Sequence, residues 1–347
     1  MWAANLPLVF IVIWFALRAR QLFFFSAVNP VIETGGMWGE SKFNILRRIP
    51  DSHVPATILV KQGTDFQAVM QRIQEVGLTD WPVIAKPDVG ERGILVKKLM
   101  DEAALRDYLS NHPVDFLVQK FVDLPLELAV MCHRMPGSRT TIVSSICIKE
   151  TLKITGDGHS TVRQLMQSSD RASFQIDRFE AEQPELMRTM PVRGQTIELE
   201  PIANHCRGTM FLNGNHHIDE KLTSAFQHVL SKMEDIHYGR FDMKCNSFEH
   251  LRSTGEFKVM EFNGIGGEPA HIYDPAYPLL AKYRDIYQHW KVIYQIYKVQ
   301  AANGVKSMGL GEAIERFRVY SAYKKSLIAP APTQILKHSN TQTPTHT

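Results

Sequence analysis

The chain has 347 residues, 44% of them hydrophobic and 22% charged, with a formal net charge of +3 at pH 7. That composition is typical of a globular protein with two or three packed subdomains. Near-balanced charge without a Lys/Arg run gives no support for a nucleic-acid partner, and we expect none. The four cysteines form no CxxC pair, so we expect neither a zinc site nor disulfides, and we assign the chain to the cytoplasm.

The N-terminal segment is almost entirely apolar from Met1 to Leu17, and Arg18 and Arg20 follow it. Seventeen helical residues span roughly 25 Å, which is short of the ~30 Å hydrocarbon core of a bilayer. A signal peptide would carry its charges before the apolar run, not after it. We therefore expect a helix that packs on the protein or contacts a membrane surface through residues 1–25, with a spanning anchor as the alternative.

Hydrophobic periodicity, caps and turn residues predict alternating strands and helices after this segment. The predicted helices lie at 41–48, 66–76, 101–109, 161–167, 178–187 and 222–236, with further helices after Pro275. The predicted strands lie at 54–60, 82–86, 94–98, 116–122, 127–133, 140–151 and 197–201, and a hairpin is predicted over 239–263.

The C-terminal part contains an aromatic stripe at helical spacing, formed by Tyr283, Tyr287, Trp290, Tyr294 and Tyr297. Such a stripe is typical of a packing face, and the apolar N-terminal helix is a suitable partner for it. From residue 329 onward Pro, Thr, Gln and Asn dominate, which predicts a disordered tail.

Three side chains that carry oxygen atoms lie on the two strands of the predicted hairpin. Asp242 lies on its first strand, and Glu261 and Asn263 share one face of the second at a spacing of two. Carboxylate and amide oxygens suit Mg²⁺, which often bridges to phosphate. A solvated acidic face explains the same residues equally well when they are taken alone.

Two other segments have the composition of a nucleotide site. Lys86 ends a predicted buried strand, and a loop with Gly90 and Gly93 follows, where backbone N–H groups can approach phosphate. The run 118–127 joins two strands through a proline and ends at Glu127, a candidate for binding ribose hydroxyls. Neither segment matches a Walker or Rossmann pattern, and each is also compatible with an ordinary interstrand turn.

The order and spacing of these segments resemble the ATP-grasp carboxylate–amine ligases. Similarity to D-alanine–D-alanine ligase lies in Ser41-Lys42, the run 83–87, Gln119 to Val122 with Glu127, and the runs 240–242 and 261–263. Similarity to cyanophycin and glutathione synthetases lies in the Gly-Asp-Gly-x-x-Thr-Val run at 156–162 and in 203–209.

This resemblance implies an α+β ATP-grasp fold in which two subdomains clamp ATP, with a truncated N-terminal domain and a helical C-terminal extension. It also implies the domain limits 1–34 (helix and loop), 35–275 (ATP-grasp), 276–328 (helices) and 329–347 (tail). The implied reaction is ATP- and Mg²⁺-dependent ligation of a small-molecule or peptide carboxylate to an amine through an acyl phosphate.

The resemblance further implies a role for each candidate residue. The implied ATP-binding residues are Lys42, Lys86, Gly90, Arg92, Gly93, Gln119, Lys120, Phe121, Val122 and Glu127. The implied ligands of two Mg²⁺ or Mn²⁺ ions are Asp242, Glu261 and Asn263, and the implied catalytic residues are Arg240, Arg207 and Asn204.

The chain departs from the family in having Gln119 where the family's hinge opens with Glu, and in its glycine-poor loop. Substrate identity and oligomeric state are not fixed by the sequence. Two alternatives to a ligase stay open: a kinase of the same fold, acting on a hydroxyl or carboxylate, and a non-catalytic nucleotide-binding scaffold.

Overall fold

The structure is a computed structural model, and it describes residues 2–91, 93–200 and 208–328. The predicted tail at 329–347 lies outside these residues. The α-helices are α1 (Trp2–Ala19), α2 (Lys42–Leu46), α3 (Phe66–Glu75), α4 (Glu102–Asn111), α5 (Val162–Gln167), α6 (Ile176–Glu182), α7 (Pro184–Arg188), α8 (Glu220–Lys232), α9 (Phe248–Thr254), α10 (Leu279–Ala302) and α11 (Leu310–Ile328). The strands are β1 (Thr57–Val60), β2 (Val83–Pro87), β3 (Lys97–Leu99), β4 (Phe116–Lys120), β5 (Leu126–Arg134), β6 (Thr141–Glu150), β7 (Lys153–Thr155), β8 (Thr196–Glu198), β9 (Met210–Asn213), β10 (Tyr238–Cys245) and β11 (Lys258–Asn263).

The smaller main sheet is antiparallel and has the order β1-β4-β2-β3. Helices α3 and α4 cover one face, with Val69, Ile73 and Leu105 buried against it. Both helices begin where the sequence provides an N-cap: Asp65 accepts from the backbone N–H of Gln67, and Asp101 from that of Ala104. The other face of this sheet lines a cleft between the two main sheets.

The larger sheet is also antiparallel and has the order β11-β10-β5-β6-β9. Its core face packs on α8 and α9, and Phe241 and Met243 of β10 belong to that core. Because side chains alternate along a strand, Arg240, Asp242 and Lys244 face the opposite side. The α+β class predicted from the sequence is confirmed, whereas the limits assigned to the domains stay a prediction.

Helix α1 packs on α10, as the aromatic stripe predicted. Phe15 is buried, with its ring 5.5 Å from that of Tyr287 and 5.4 Å from that of Tyr294. The following 3₁₀ turn adds Phe24, whose ring is 6.1 Å from that of Trp290. Among the described residues, none of the helices combines the length and the apolarity that crossing a membrane requires.

A close backbone contact ties the N-terminal segment to the larger sheet. Gly36 lies against Gly264: a Cβ built on Gly36 would be 2.6 Å from the Cα of Gly264. The backbone N–H of Gly266 donates to the carbonyl of Gly36 at 2.7 Å. Asn29, fully buried, accepts from the backbone N–H of His237 at 2.8 Å and donates to the carbonyl of Tyr238 at 2.8 Å.

Some predicted element limits were wrong, for local reasons. The helix predicted at 178–187 is interrupted before Pro184, which has no N–H to continue the helical ladder. The strand predicted at 94–98 begins only at Lys97, because Gly93 and Leu95 adopt positive φ in a turn. The 239–263 pair is antiparallel as predicted, but α9 intervenes, so it is not a simple hairpin.

We expect Phe15→Ala to lower the free energy of unfolding by roughly 3 kcal/mol, because it leaves a cavity between α1 and α10. Leu17→Ala, on the exposed side of α1, is the matched control and should change it by less than about 0.5 kcal/mol. Urea unfolding of both variants measures the difference. Equal effects in the two variants would contradict the packing of α1 on α10.

Candidate active site between the two sheets

A cleft of about 440 Å³ lies between the two main sheets. It has the size of a small-molecule site, and polar and charged side chains converge on it from both sides. The predicted site residues that line it are Lys42, Lys86, Gly90, Gly93, Gln119, Lys120, Phe121, Val122, Glu127, Arg240, Asp242, Glu261 and Asn263. The predicted residues Arg92, Asn204 and Arg207 lie outside the described residues.

Two lysines from different parts of the chain meet at this cleft. Lys86, on β2 of the smaller sheet, donates to the side-chain oxygen of Gln119 at 2.9 Å and to the carbonyl of Met260 on β11 at 2.7 Å. It therefore bridges the two sheets directly. Lys42 begins α2, and its ammonium group lies 3.3 Å from a carboxylate oxygen of Glu261 and donates to the carbonyl of Gly90.

Burial lowers the pKa of Lys86 to about 8, although the neighbouring Glu261 carboxylate acts in the opposite direction. Taking an ammonium group out of water disfavours its charged form. Lys86 can therefore change its charge close to neutral pH, unlike an exposed lysine.

The loop after Lys86 is tied to the start of α2. The backbone N–H of Lys42 donates to the carbonyl of Asp88 at 3.0 Å, and that of Phe43 donates to the Asp88 carboxylate at 2.9 Å. Gly90 adopts a φ of 157°, within the range that side chains rarely adopt. This arrangement brings the loop carbonyls and Lys42 to the same edge of the cleft.

The floor of the cleft is a network of buried charges on the larger sheet. Arg240 donates two hydrogen bonds, of 3.0 and 3.1 Å, to the carboxylate of Asp242. Lys149 on β6 lies 3.6 Å from Asp242 and 3.4 Å from Glu127, and Lys244 lies 3.7 Å from Glu127. Each buried carboxylate therefore has two cationic neighbours.

This network also reduces the repulsion between the carboxylates of Asp242 and Glu261, which lie opposite each other on paired strands. Burial by itself raises the pKa of Asp242, but Arg240 and Lys149 outweigh it and hold the pKa below its usual range. Glu261 is paired with Lys42, so both carboxylates are compensated before any ligand binds.

The three predicted metal ligands lie together on two paired strands. Asp242 pairs in register with Glu261, and Asn263 donates from its amide to the Asp242 carboxylate at 3.1 Å. Among the described residues no three His, Cys, Asp or Glu side chains form a metal-binding group, so such a site would need the Asn263 oxygen. The donors are oxygens of the type that Mg²⁺ takes, and in that respect they fit.

Another side of the cleft is lined by residues 119–122, at the end of β4, and by Glu127. The side chain of Gln119 is occupied by Lys86 and by the hydroxyl of Thr57, to which it donates at 3.0 Å. The ammonium group of Lys120 pairs with Asp80 on the surface, so Lys120 contributes its backbone rather than its charge. Phe121 lies under Lys98, whose Nζ is 3.9 Å from the ring centroid.

Several residues of the cleft were not predicted from the sequence. Lys149, Lys244, Phe211 and Tyr320 line it, and each is brought there by strand pairing or by the packing of α11. Only Lys244 had a local signal, because it follows Asp242 at the spacing of two that marks one face of a strand.

Glu40 also lines the cleft without having been predicted. Burial raises its pKa, against the effect of Lys42, and one of its carboxylate oxygens is buried without a hydrogen-bond partner in the structure. It lies two residues before Lys42 but carries no recognisable motif.

Helix α11 packs against the glycine-bearing loop. Lys324 pairs with Glu91 at 2.6 Å, and the side chain of Leu327 approaches Gly90. Tyr320 packs over Gly39. The C-terminal helix thus contacts both the glycine-bearing loop and the segment before Lys42.

His271, which follows the strand that holds Glu261 and Asn263, is not among the residues that line the cleft. It is buried and bonded to the hydroxyl of Ser145 at 2.7 Å and to the carboxylate of Asp285 at 3.0 Å. These contacts join β6 to α10, and they indicate a structural role.

Several solved structures resemble this chain. The VanG D-Ala:D-Ser ligase from Enterococcus faecalis has 13% identity and a TM-score of 0.43, over 75% of this chain and 62% of that one. D-alanine–D-alanine ligase from Bacillus anthracis has 14% identity and a TM-score of 0.43, over 78% and 70%. A bifunctional glutathione synthetase from Pasteurella multocida has 11% identity and a TM-score of 0.34, over 73% and 35%.

These structures are ATP-grasp ligases, so the resemblance predicted from the sequence is confirmed as a resemblance. No family model and no curated protein matches the chain. With TM-scores below 0.5, the likenesses support no inference about substrate or activity.

We expect Lys149→Met to lower the free energy of unfolding by roughly 3–5 kcal/mol, because it leaves Glu127 and Asp242 buried with too little positive charge. Lys153→Met, an exposed lysine on β7, is the control and should stay within about 0.5 kcal/mol of the native protein. Adding Glu127→Gln to Lys149→Met should recover part of the loss. Denaturant unfolding measures the free energy of unfolding of the native protein and the three variants. A double variant that is less stable than Lys149→Met would contradict the assigned network.

Proposed function

We propose that this protein is an ATP- and Mg²⁺-dependent ligase that joins a carboxylate to an amine through an acyl phosphate. One observation carries the proposal: Lys42 and Lys86 converge with Asp242, Glu261 and Asn263 on one cleft between two sheets. Cations and oxygen ligands in one small cleft match what a metal-bound triphosphate requires.

The nucleotide would lie between the sheets. Lys42 and Lys86 would bind its phosphates, and the loop with Gly90, Arg92 and Gly93 would close over them. The backbone of Gln119, Lys120, Phe121 and Val122 would contact adenine, and Glu127 would accept hydrogen bonds from ribose. The two Gln119 side-chain contacts support the backbone assignment, since they leave its side chain engaged.

The chemistry needs positioning and charge neutralisation more than a protein nucleophile. The substrate carboxylate attacks the γ-phosphorus of ATP, ADP leaves, and an amine then displaces phosphate from the acyl phosphate. Arg240 would stabilise the transferred phosphoryl group, because Asp242 and the carbonyl of Glu268, at 2.9 Å, hold its guanidinium in place. Asn204 and Arg207 are proposed to assist it.

Two Mg²⁺ or Mn²⁺ ions held by Asp242, Glu261 and Asn263 would neutralise charge on the phosphates. Asp242 would exchange its hydrogen bond from Asn263 for that role, and Asn263 would present its oxygen. Lys149 and Arg240 would keep Asp242 ionised throughout.

The substrates are proposed to be small-molecule or peptide carboxylates and amines. An ADP-release assay with pools of amino acids, peptides and hydroxylated compounds tests the reaction class. ADP release that needs both a carboxylate and an amine supports the ligase, whereas release with a hydroxylated compound alone would show a kinase. A nucleotide that binds without any turnover would indicate a scaffold.

The affinity for Mg-ATP should fall as pH rises through about 8, because Lys86 binds phosphate only when it is protonated. The loss should approach tenfold per pH unit above that value. Lys86→Met should bind roughly 10–100-fold more weakly at pH 7, without this pH dependence. Calorimetric titration at pH 7, 8 and 9 measures both effects, with Lys153→Met, which changes an exposed lysine on β7, as the control. Unchanged affinity in Lys86→Met would contradict the phosphate assignment.

Glu261→Gln should lower turnover by roughly 100-fold or more while leaving stability nearly unchanged, because it removes a ligand charge and keeps the side-chain shape. Glu256→Gln, an exposed carboxylate just before β11, serves as the control and should retain activity. Steady-state ADP release and thermal unfolding with and without Mg-ATP measure the two effects. Near-normal turnover by Glu261→Gln would remove Glu261 from the site.

A further inference from the structure

The outer face of α1 consists of Phe10, Ile13, Trp14 and Leu17, which are 47% to 69% exposed. Their spacing of three, four and seven positions places them on one side of the helix. The opposite side, with Phe15 and Ala16, is buried against α10. An apolar helix that buries only one side leaves a contiguous apolar patch, and such patches mark interaction surfaces.

The layer that carries this patch has a strongly one-sided charge. Residues 2–28 and 279–308, which form the α1–α10 layer, contain seven basic side chains and one acidic side chain, Asp285. The layer therefore has a net charge of +6, although the whole chain has only +3, so the remainder is net negative. A layer that exposes an apolar face and carries a net positive charge is complementary to an anionic lipid surface.

The aromatic and basic groups of the layer are arranged as they are at a membrane–water interface. The guanidinium of Arg18 lies 5.7 Å from the ring centroid of Trp14 and 5.9 Å from that of Tyr294. The ammonium of Lys298 lies 5.3 Å from the same Tyr294 ring. Arg18 and Lys298 are both exposed residues that lie beside aromatic rings, an arrangement that suits the headgroup region.

We propose that α1 lies flat on an anionic membrane surface, with its outer face in the headgroup–acyl boundary and the basic layer against lipid phosphates. A second copy of the chain is the poorer occupant, because two such layers facing each other would oppose +6 with +6. The docking is independent of the proposed ligase activity.

Co-sedimentation of the full chain with phosphatidylcholine vesicles containing 30 mol% phosphatidylserine tests the proposal. Ile13→Gln/Leu17→Gln should weaken the partition at least tenfold. Ile314→Gln/Phe317→Gln, which changes two exposed apolar residues of α11, is the matched control and should bind like the native protein. Thermal unfolding and nucleotide binding without vesicles should be the same in both double variants.

Charge and depth are tested separately. Arg18→Glu/Arg20→Glu should lose more than tenfold in binding to the anionic vesicles, and added salt should weaken the native protein in the same direction. In a Trp2→Phe background, brominated lipid should quench tryptophan emission, and the quenching should be much smaller after Trp14→Phe is added. The proposal is overturned if the native chain ignores the anionic vesicles, if Ile13→Gln/Leu17→Gln binds them equally, or if that variant instead converts a dimer into a monomer.

Discussion

The structure depends on keeping several ionised groups neutralised inside the larger sheet. Asp242 and Glu127 are buried on neighbouring strands, and isolated carboxylates there would cost several kcal/mol each. Arg240 and Lys244 on β10 and Lys149 on β6 supply the compensation, so the register of β5, β6 and β10 is fixed by charge as well as by packing. A one-residue slip would turn these charges into the core of Phe241 and Met243.

Lys86 is a further buried charge, and it connects the two sheets across the cleft. It is anchored on the smaller sheet and donates to the backbone of β11 on the larger one. Burial lowers the pKa of Lys86, so the group that bridges the two sheets loses its charge more easily than an exposed lysine does. A phosphate placed near it would favour the charged form again. Ligand binding and the closeness of the two sheets are therefore coupled through one side chain.

Local signals in the sequence were sufficient to predict some helix starts and part of the candidate site. The starts of α3 and α4 were predicted to within one residue because an N-cap is a short-range interaction, and Glu261 and Asn263 were placed on one face by alternation alone. Lys149 was missed because its position depends on which strand pairs with β5, and Tyr320 was missed because α11 folds back from far along the chain. The partner that Asp242 finds in Lys149 could not be predicted for the same reason, since it comes from a distant strand.

The contact between Gly36 and Gly264 has a consequence for how this protein can diverge. A side chain on either residue would strike the backbone of the partner segment, and Gly36 also holds a φ of 83° that disfavours other residues. Neither position can change alone without moving the segment that holds Glu40 or the one that follows Asn263. Among descendants of this sequence, the two glycines should persist together or be replaced together, accompanied by a change in the length of one of the two loops.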